Sequence, residues 1–280
     1  MRCYNMQRIR TSEGYKYHPC GRCPACQKND ATSWGLRMYL ESRYYEESIF
    51  LTLTYDDEHL PSTNSKYVSG NLVKEDVQKF VKLLRYHYGR DIKYLCAGEY
   101  GEDFQRPHYH LCITGISVDD LIFSDKFWVP SKKAYICNLK FWKNGEVCVR
   151  SLLRSDCFYT AKYSLKARGL RFKELEKEGT PLPFRLVSKG LGLQYLKDNF
   201  DRIKTDGFIR YHGFKIAIPR YYYDKIYPVG SKAREWHSSY LATSGKGSRY
   251  WLPYLDKYKT IYSVDKALSK QQEINNMKGK

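Results

Sequence analysis

Two histidines stand one residue apart in Arg106-Pro-His-Tyr-His-Leu-Cys-Ile113. The stretch is rich in β-formers and reads as a strand, where successive side chains alternate. His108 and His110 then share one face and Tyr109 takes the other. Paired neutral imidazoles are a start toward a divalent-metal site. Glu99 lies nine positions upstream of His108, in Gly98-Glu-Tyr-Gly-Glu-Asp103, at the end of a neighbouring strand. A hairpin between the two strands brings its carboxylate beside the imidazoles. Glu102 and Asp103 are alternatives that fall deeper in the loop. His108, His110 and Glu99 together leave coordination positions open for water and phosphate oxygens, the mode in which Mg²⁺ or Mn²⁺ assists phosphoryl chemistry.

A second constellation follows in Phe158-Tyr-Thr-Ala-Lys-Tyr-Ser-Leu-Lys166. On a helix, Tyr159 and Tyr163 are four apart and share a face. Lys162 and Lys166 each lie three residues after a tyrosine. A phenol with a pKa of about 10 is a poor nucleophile at neutral pH. A nearby cation or a metal-polarised phosphate makes its attack feasible. Taken without other motifs, the same spacing fits an amphipathic helix with packed aromatics and solvated lysines.

The third constellation is Cys20-Gly-Arg-Cys-Pro-Ala-Cys26. Cys20, Cys23 and Cys26 have the spacing of zinc ligands in a knuckle-like loop, with Cys3 or His18 as the fourth donor. An iron–sulfur cluster is the lesser alternative. The chain has nine cysteines, an odd number, which argues against a disulfide framework. Cys96, Cys112, Cys137, Cys148 and Cys157 fall in strands or at a helix start and are expected in the core.

These residues must be positioned by the elements around them. Ser33 to Tyr45 reads as a helix, with Trp34, Leu36, Met38 and Leu40 as core candidates. Ile49 to Tyr55 alternates as a strand. Asn71 can cap a helix to Tyr88, with an apolar stripe of Leu72, Val77, Phe80, Val81 and Leu84. Ile92 to Ala97 and His108 to Thr114 read as strands. Gly145 marks a turn between strands at Ala134–Phe141 and Val147–Leu152. Ser155 can cap a helix from Asp156 to Ala167. Strands that mostly follow one another, with few helices, indicate an α+β sandwich on an antiparallel sheet. The expected division is an N-terminal Cys-rich segment and helix over 1–45, a core over 46–200 and a basic, Tyr-rich extension over 201–280. Pro219 to Tyr223, with Arg220 beside three tyrosines, reads as a contact segment.

Charge narrows the partner. The chain of 280 residues carries a net +18 and 27 tyrosines. Such an excess marks a polyanion partner, and Tyr beside Lys and Arg suits stacking on unpaired bases. Residues 201–280 hold 16 Lys/Arg against 7 Asp/Glu, a difference of +9. No stretch approaches the roughly 18 apolar residues of a membrane span, and Met1 to Arg10 has no apolar run. Nucleic acid in a cytoplasmic setting is the expectation, with no membrane partner.

Taken together, the strand Phe50-Leu-Thr-Leu-Thr-Tyr-Asp-Asp57, then Arg106-Pro-His-Tyr-His-Leu-Cys-Ile113, then Tyr159-Thr-Ala-Lys-Tyr163 resemble the three motifs of the HUH endonuclease superfamily in their usual order. The tyrosine pair resembles the two-tyrosine replication initiators. Cys20-Gly-Arg-Cys-Pro-Ala-Cys26, Gly98-Glu-Tyr-Gly101 and Ile218-Pro-Arg-Tyr-Tyr222 bring it nearer to the replication initiation proteins of microviruses, over roughly residues 20–225. The resemblance implies a five-stranded antiparallel sheet with the His pair on a central strand and the tyrosine helix beside the metal. It implies Mg²⁺- or Mn²⁺-dependent nicking and rejoining of a single-stranded DNA origin through a 5′-phosphotyrosine, in the host bacterial cytoplasm. A host polymerase would extend the freed 3′-OH. The chain shows no G-x-x-x-x-G-K-[ST] pattern, so duplex opening would fall to supercoiling or a host helicase. Two other readings compete: a non-enzymatic single-stranded-DNA-binding protein, and a relaxase or transposase of the same superfamily. A covalent protein–DNA product separates the first from catalysis.

Overall fold

Ser48–Thr54, SIFLTLT, alternates β-branched and large apolar residues and forms the strand around which the rest is organised. The computed structural model describes residues 3–11, 14–89, 91–163 and 170–236. The chain makes two compact units, Trp34–Gly192 and a combination of Met1–Ser33 with Leu193–Lys280.

The larger unit is built on a seven-stranded antiparallel sheet. Numbered along the chain, its strands are β3 (Ser48–Thr54), β4 (Tyr94–Tyr100), β5 (Pro107–Thr114), β6 (Phe123–Val129), β7 (Ala134–Leu139), β8 (Trp142–Ser151) and β9 (Phe184–Val187). They lie in the order β6-β7-β8-β3-β5-β4-β9. The sheet therefore has two strands more than the five expected. β6 is exposed along most of its length, so its sequence carries no inward-facing alternation. β9 has four residues and follows Pro181 and Pro183, too short to show a period. Both sit at sheet edges and leave β3, β5 and β4 together at the site.

The turn expected at Gly145 is displaced. Lys140–Phe141 joins β7 to β8, and Gly145 lies inside β8. Four residues there bulge between the paired positions Cys137↔Val147 and Leu139↔Trp142. Gly145 has φ +150°, and a Cβ on it would stand 2.5 Å from the Asp56 amide nitrogen. The glycine is required by this close approach to the chain after β3, where the Asp56 amide donates to the Asn144 carbonyl.

One face of the sheet is covered by α2 (Lys74–Tyr88), whose Val77, Phe80, Val81 and Leu84 are buried as its stripe predicts. They pack with Leu51, Leu53, Tyr109, Leu111 and Trp142 in the main apolar core. Asn71 does not cap this helix. It lies before the cap residue Val73, which makes no side-chain capping bond, and its amide donates to the Ser62 carbonyl. On the opposite face runs α3 (Arg154–Tyr163), whose Thr160 hydroxyl and Asp156 carbonyl meet the Cys112 thiol of β5. Its start is tied by Asp156, which accepts the Leu153 amide and the Arg150 guanidinium. Helix α1 (Pro24–Ser42) starts earlier than expected, so Cys26 belongs to its first turn, and Leu36, Met38 and Leu40 are buried. The other helix of this unit is α4 (Leu170–Lys177).

The smaller unit contains the hairpin β1 (Gln7–Thr11) and β2 (Gly14–His18), the helices α5 (Leu193–Asp198), α6 (Phe200–Asp206) and α7 (Arg220–Ile226), and the hairpin β10 (Ile209–Tyr211) and β11 (Phe214–Ile216). Tyr222 and Tyr223 of α7 are buried, and Arg220 pairs with Asp224 one turn on. Most of that expected contact segment is thus core.

Candidate active site

The cross-strand register builds the site. His108 of β5 stands opposite Glu99 of β4 and Thr54 of β3; His110 stands opposite Ala97 and Thr52. Both imidazoles therefore point to the α3 face. Tyr109 points away and is fully buried, with its hydroxyl accepting the Val73 amide.

Glu99 Oε1 lies 3.1 Å from His108 Nε2 and 3.1 Å from His110 Nε2. Glu99 is 2% exposed and His110 6%. Burial pushes the Glu99 carboxyl up, but the hydrogen bonds and charge of the two histidines outweigh it and hold it at about 2. The far ring nitrogens fix the tautomers. His108 Nδ1 is 3.1 Å from the Arg106 carbonyl, which only accepts, so Nδ1 carries the proton. His110 Nδ1 is 3.1 Å from the Thr52 hydroxyl, which can take the same role. With the proton on Nδ1, each Nε2 presents a lone pair toward the same carboxylate oxygen. A cation among the three satisfies that arrangement. Ligand atoms adjacent on an octahedral ion with bonds of about 2.1 Å stand about 3 Å apart, which matches the spacing here. Glu102 and Asp103, the alternative carboxylates, line the same cleft from an exposed loop and do not join this group.

The tyrosines approach from α3. The Tyr159 ring centroid is 5.1 Å from that of His110, Tyr163 is 5.3 Å from His110, and the two tyrosines are 4.3 Å apart. Tyr159 is 41% exposed. Burial, the Tyr163 hydrogen bond and the negative charges of Glu99 and Glu102 all raise its phenol above the usual value. The free site therefore keeps Tyr159 protonated, and a cation at Glu99 would relieve part of that.

The cleft encloses about 330 Å³ and is lined by Thr52, Thr54, Glu99, Arg106, His108, His110, Tyr159 and Tyr163, with the Gly101–Phe104 loop at its edge. Lys162 is exposed on α3 and does not line the cleft; Lys166 lies outside the described residues. Several supporting residues carry no sequence signal of their own. Phe50 stacks on His110 at 5.8 Å and 13°, and meets the Tyr159 ring edge at 6.2 Å. Arg106 donates to the Tyr55 carbonyl and pairs with Asp57 at 2.7 Å, tying the strand after β3 to the start of β5. Phe50, Thr52 and Thr54 read simply as β-formers in sequence. Only their register against His108 and His110 reveals them.

In the smaller unit, Cys3, Cys20, Cys23 and Cys26 form a second group of candidate metal donors. His18, the alternative fourth donor, is exposed in β2 and outside this group.

The sheet, the buried two-histidine, one-carboxylate set and the paired phenols above it define an α+β protein with a candidate divalent-metal site facing two potential nucleophiles. Residues 48–168 match the family model of the replication-associated protein ORF2. The chain is 33% identical to replication-associated protein ORF2 of Spiroplasma virus 4 over 79% of its own length and 69% of that protein's. It is 29% identical to replication-associated protein VP4 of Bdellovibrio phage phiMH2K, covering 74% and 66% of the two, and 27% identical to replication-associated protein ORF4 of Chlamydia phage 1, covering 79% and 56%. The chain belongs to the microvirus-type replication-associated proteins. No solved structure matches it significantly. Among the described residues, no helix is long and apolar enough to cross a membrane.

Proposed function

We propose that this protein initiates rolling-circle replication by nicking single-stranded origin DNA through a tyrosine nucleophile, and later rejoins it. The observation that carries the reading is the placement of Glu99, His108 and His110 in one cleft with Tyr159 and Tyr163. Glu99, His108 and His110 would hold a Mg²⁺ or Mn²⁺ ion, which when bound supplies Lewis-acid polarisation of the scissile phosphate.

The rest is done by this chain's side chains. One phenol oxygen attacks phosphorus as the P–O3′ bond breaks. The phenol proton passes to solvent, and the departing 3′ oxygen takes up a proton to become the 3′-OH that a host polymerase extends. The 5′ phosphate stays on tyrosine as a phosphodiester, so the energy of the backbone linkage is retained without a nucleotide cofactor. The second phenol on the same face then cuts the regenerated origin. The new 3′-OH attacks the first phosphotyrosine, and that phenol leaves with a proton as the circle closes. Phe50 and Thr52 hold His110 in place, and the Arg106 carbonyl holds His108. Lys162 and Lys166 are assigned the supporting role of neutralising phosphate charge. Strand separation by a host helicase and action in the host cytoplasm belong to the same proposal.

The test is a covalent-adduct assay with the full-length protein, single-stranded circular DNA from its own replicon and Mn²⁺ on a denaturing gel. A band abolished by chelator and by the Tyr159→Phe/Tyr163→Phe double variant is expected, with each single variant still making one cut. An adduct in the double variant would overturn the nucleophile assignment.

A further inference from the structure

The four cysteines of the smaller unit sit around one point. Cys3 Sγ lies 3.6 Å from Cys20 Sγ and 3.8 Å from Cys23 Sγ, and all four sulfurs fall within 4.8 Å of one another. Disulfide-bonded sulfurs are about 2.05 Å apart, so these are four separate thiols. Sulfurs on one tetrahedral zinc, bound at about 2.3 Å, stand about 3.8 Å apart. The backbone also favours thiolates: the amides of Arg22 and Cys23 donate to Cys20 Sγ, and the Cys20 amide donates to Cys3 Sγ. Cys3 and Cys26 are buried.

Between Cys3 and Cys20 the chain runs out along β1 and back along β2. The register pairs Arg10 with Tyr15, and Arg8 lies two residues from Arg10, so the three share one face of the ribbon. Arg8, Arg10 and Tyr15 are exposed, and so are Gln7 and Ile9 of the opposite face. The Arg8 guanidinium lies 3.9 Å over the Tyr15 ring. A two-stranded hairpin with both faces in water is marginal by itself and needs a staple at its base. The cysteine group lies at that base. The Arg8–Tyr15 face offers an aromatic ring and cations, the pairing that takes unpaired bases by stacking and phosphates by charge.

We propose that Cys3, Cys20, Cys23 and Cys26 hold a structural zinc ion, and that this ion fixes the β1–β2 hairpin as a single-stranded-DNA-binding ribbon acting through Arg8, Arg10 and Tyr15. The zinc claim stands independently; the DNA partner rests on the proposed function.

Two measurements on the full-length protein test it. In the first, zinc content is measured and the metal is then exchanged for cobalt. The expected spectrum shows thiolate-to-cobalt charge transfer that survives His108→Ala/His110→Ala and disappears in Cys20→Ser/Cys23→Ser. Absence of zinc, or a cobalt spectrum without the thiolate band, overturns the site. In the second, binding of a fluorescent single-stranded oligonucleotide is followed in the Tyr159→Phe/Tyr163→Phe background, where no covalent product forms. Adding Arg8→Ala/Arg10→Ala/Tyr15→Ala should weaken binding about tenfold and reduce the log–log salt slope by about 1.4, two phosphates at about 0.7 each, with zinc content unchanged. Full affinity in that variant, while its parent binds tightly, overturns the ribbon's role alone. A parent that fails to bind overturns that role together with the proposed function.

Discussion

At the scale of single residues, the site depends on groups that never touch substrate. Thr52 is one. Its hydroxyl is 3.1 Å from His110 Nδ1, so it fixes which nitrogen carries the proton and leaves Nε2 available on the Glu99 side. Outer groups that orient a metal-binding histidine are worth about 10- to 100-fold in metal affinity. Thr52→Val keeps the β-branched shape and deletes only the hydroxyl. It should raise the Mn²⁺ concentration needed for half-maximal adduct formation by about tenfold while leaving the rate at saturating Mn²⁺ close to that of the parent. An unmoved Mn²⁺ midpoint would mean that Thr52 does not orient His110. By contrast, Glu99→Gln and His108→Ala remove proposed ligands, and both should abolish the adduct at any practical Mn²⁺ concentration. Their fate is read from the same titration. The difference tracks what sequence reveals. An i, i+2 histidine pair and an upstream carboxylate are visible because few residue types do their chemistry. Thr52 is invisible because a threonine in a strand has an ordinary reason to be there.

At the scale of elements, the question is what brings α3 down onto the sheet. Gly35 of α1 answers part of it. A Cβ there would lie 2.5 Å from Phe158 Cδ1 and 2.9 Å from Phe158 Cα, and the latter is backbone that cannot rotate aside. Ala is favoured over Gly inside a helix by about 1 kcal/mol, whereas overpacking at such a contact costs about 1–3 kcal/mol. Steric cost wins, and it falls on the residue next to Tyr159. Gly35→Ala should therefore lower the rate of adduct formation about tenfold or more, since small misplacements at a reacting centre are expensive, with a Tm drop of only a few degrees. A variant with raised Tm and full activity would show that the two helices do not pack this closely. The other anchor is electrostatic. Arg150→Met leaves the Asp156 carboxylate, 3% exposed, without its guanidinium partner at 2.7 Å. That should cost about 3 kcal/mol, seen in thermal unfolding, and Arg150→Met/Asp156→Leu should regain most of it. None of this packing is legible in a linear pattern, because Gly35 and Phe158 are far apart in the chain. What is legible are the elements with a strong period: β3, β5 and the stripe of α2 stand close to where their alternation puts them. β6 and β9 lack that period, and the bulge in β8 moved the expected turn at Gly145 to Lys140–Phe141.

At the scale of the whole molecule, the net charge of +18 argues for a polyanion but is silent on catalysis. A non-enzymatic single-strand-binding protein would carry the same excess. The two functions separate because they draw on different groups. Phosphate neutralisation by surface Lys and Arg needs no divalent ion, while the proposed chemistry depends on Glu99, His108 and His110. With chelator present, the protein should still bind a single-stranded oligonucleotide, and log K should fall linearly with log salt. Each phosphate contact contributes a slope of about 0.7 on single strands, so about six contacts would give a slope near −4. Adding Mn²⁺ to the parent protein should convert part of this salt-sensitive complex into a product that survives denaturant. Adding it to His108→Ala should leave the complex entirely salt-dissociable. Fluorescence anisotropy against salt and a denaturing gel on the same samples read both quantities. Binding without conversion in the parent would leave the charge explained and the cleft unexplained, and the binding-protein reading would then hold.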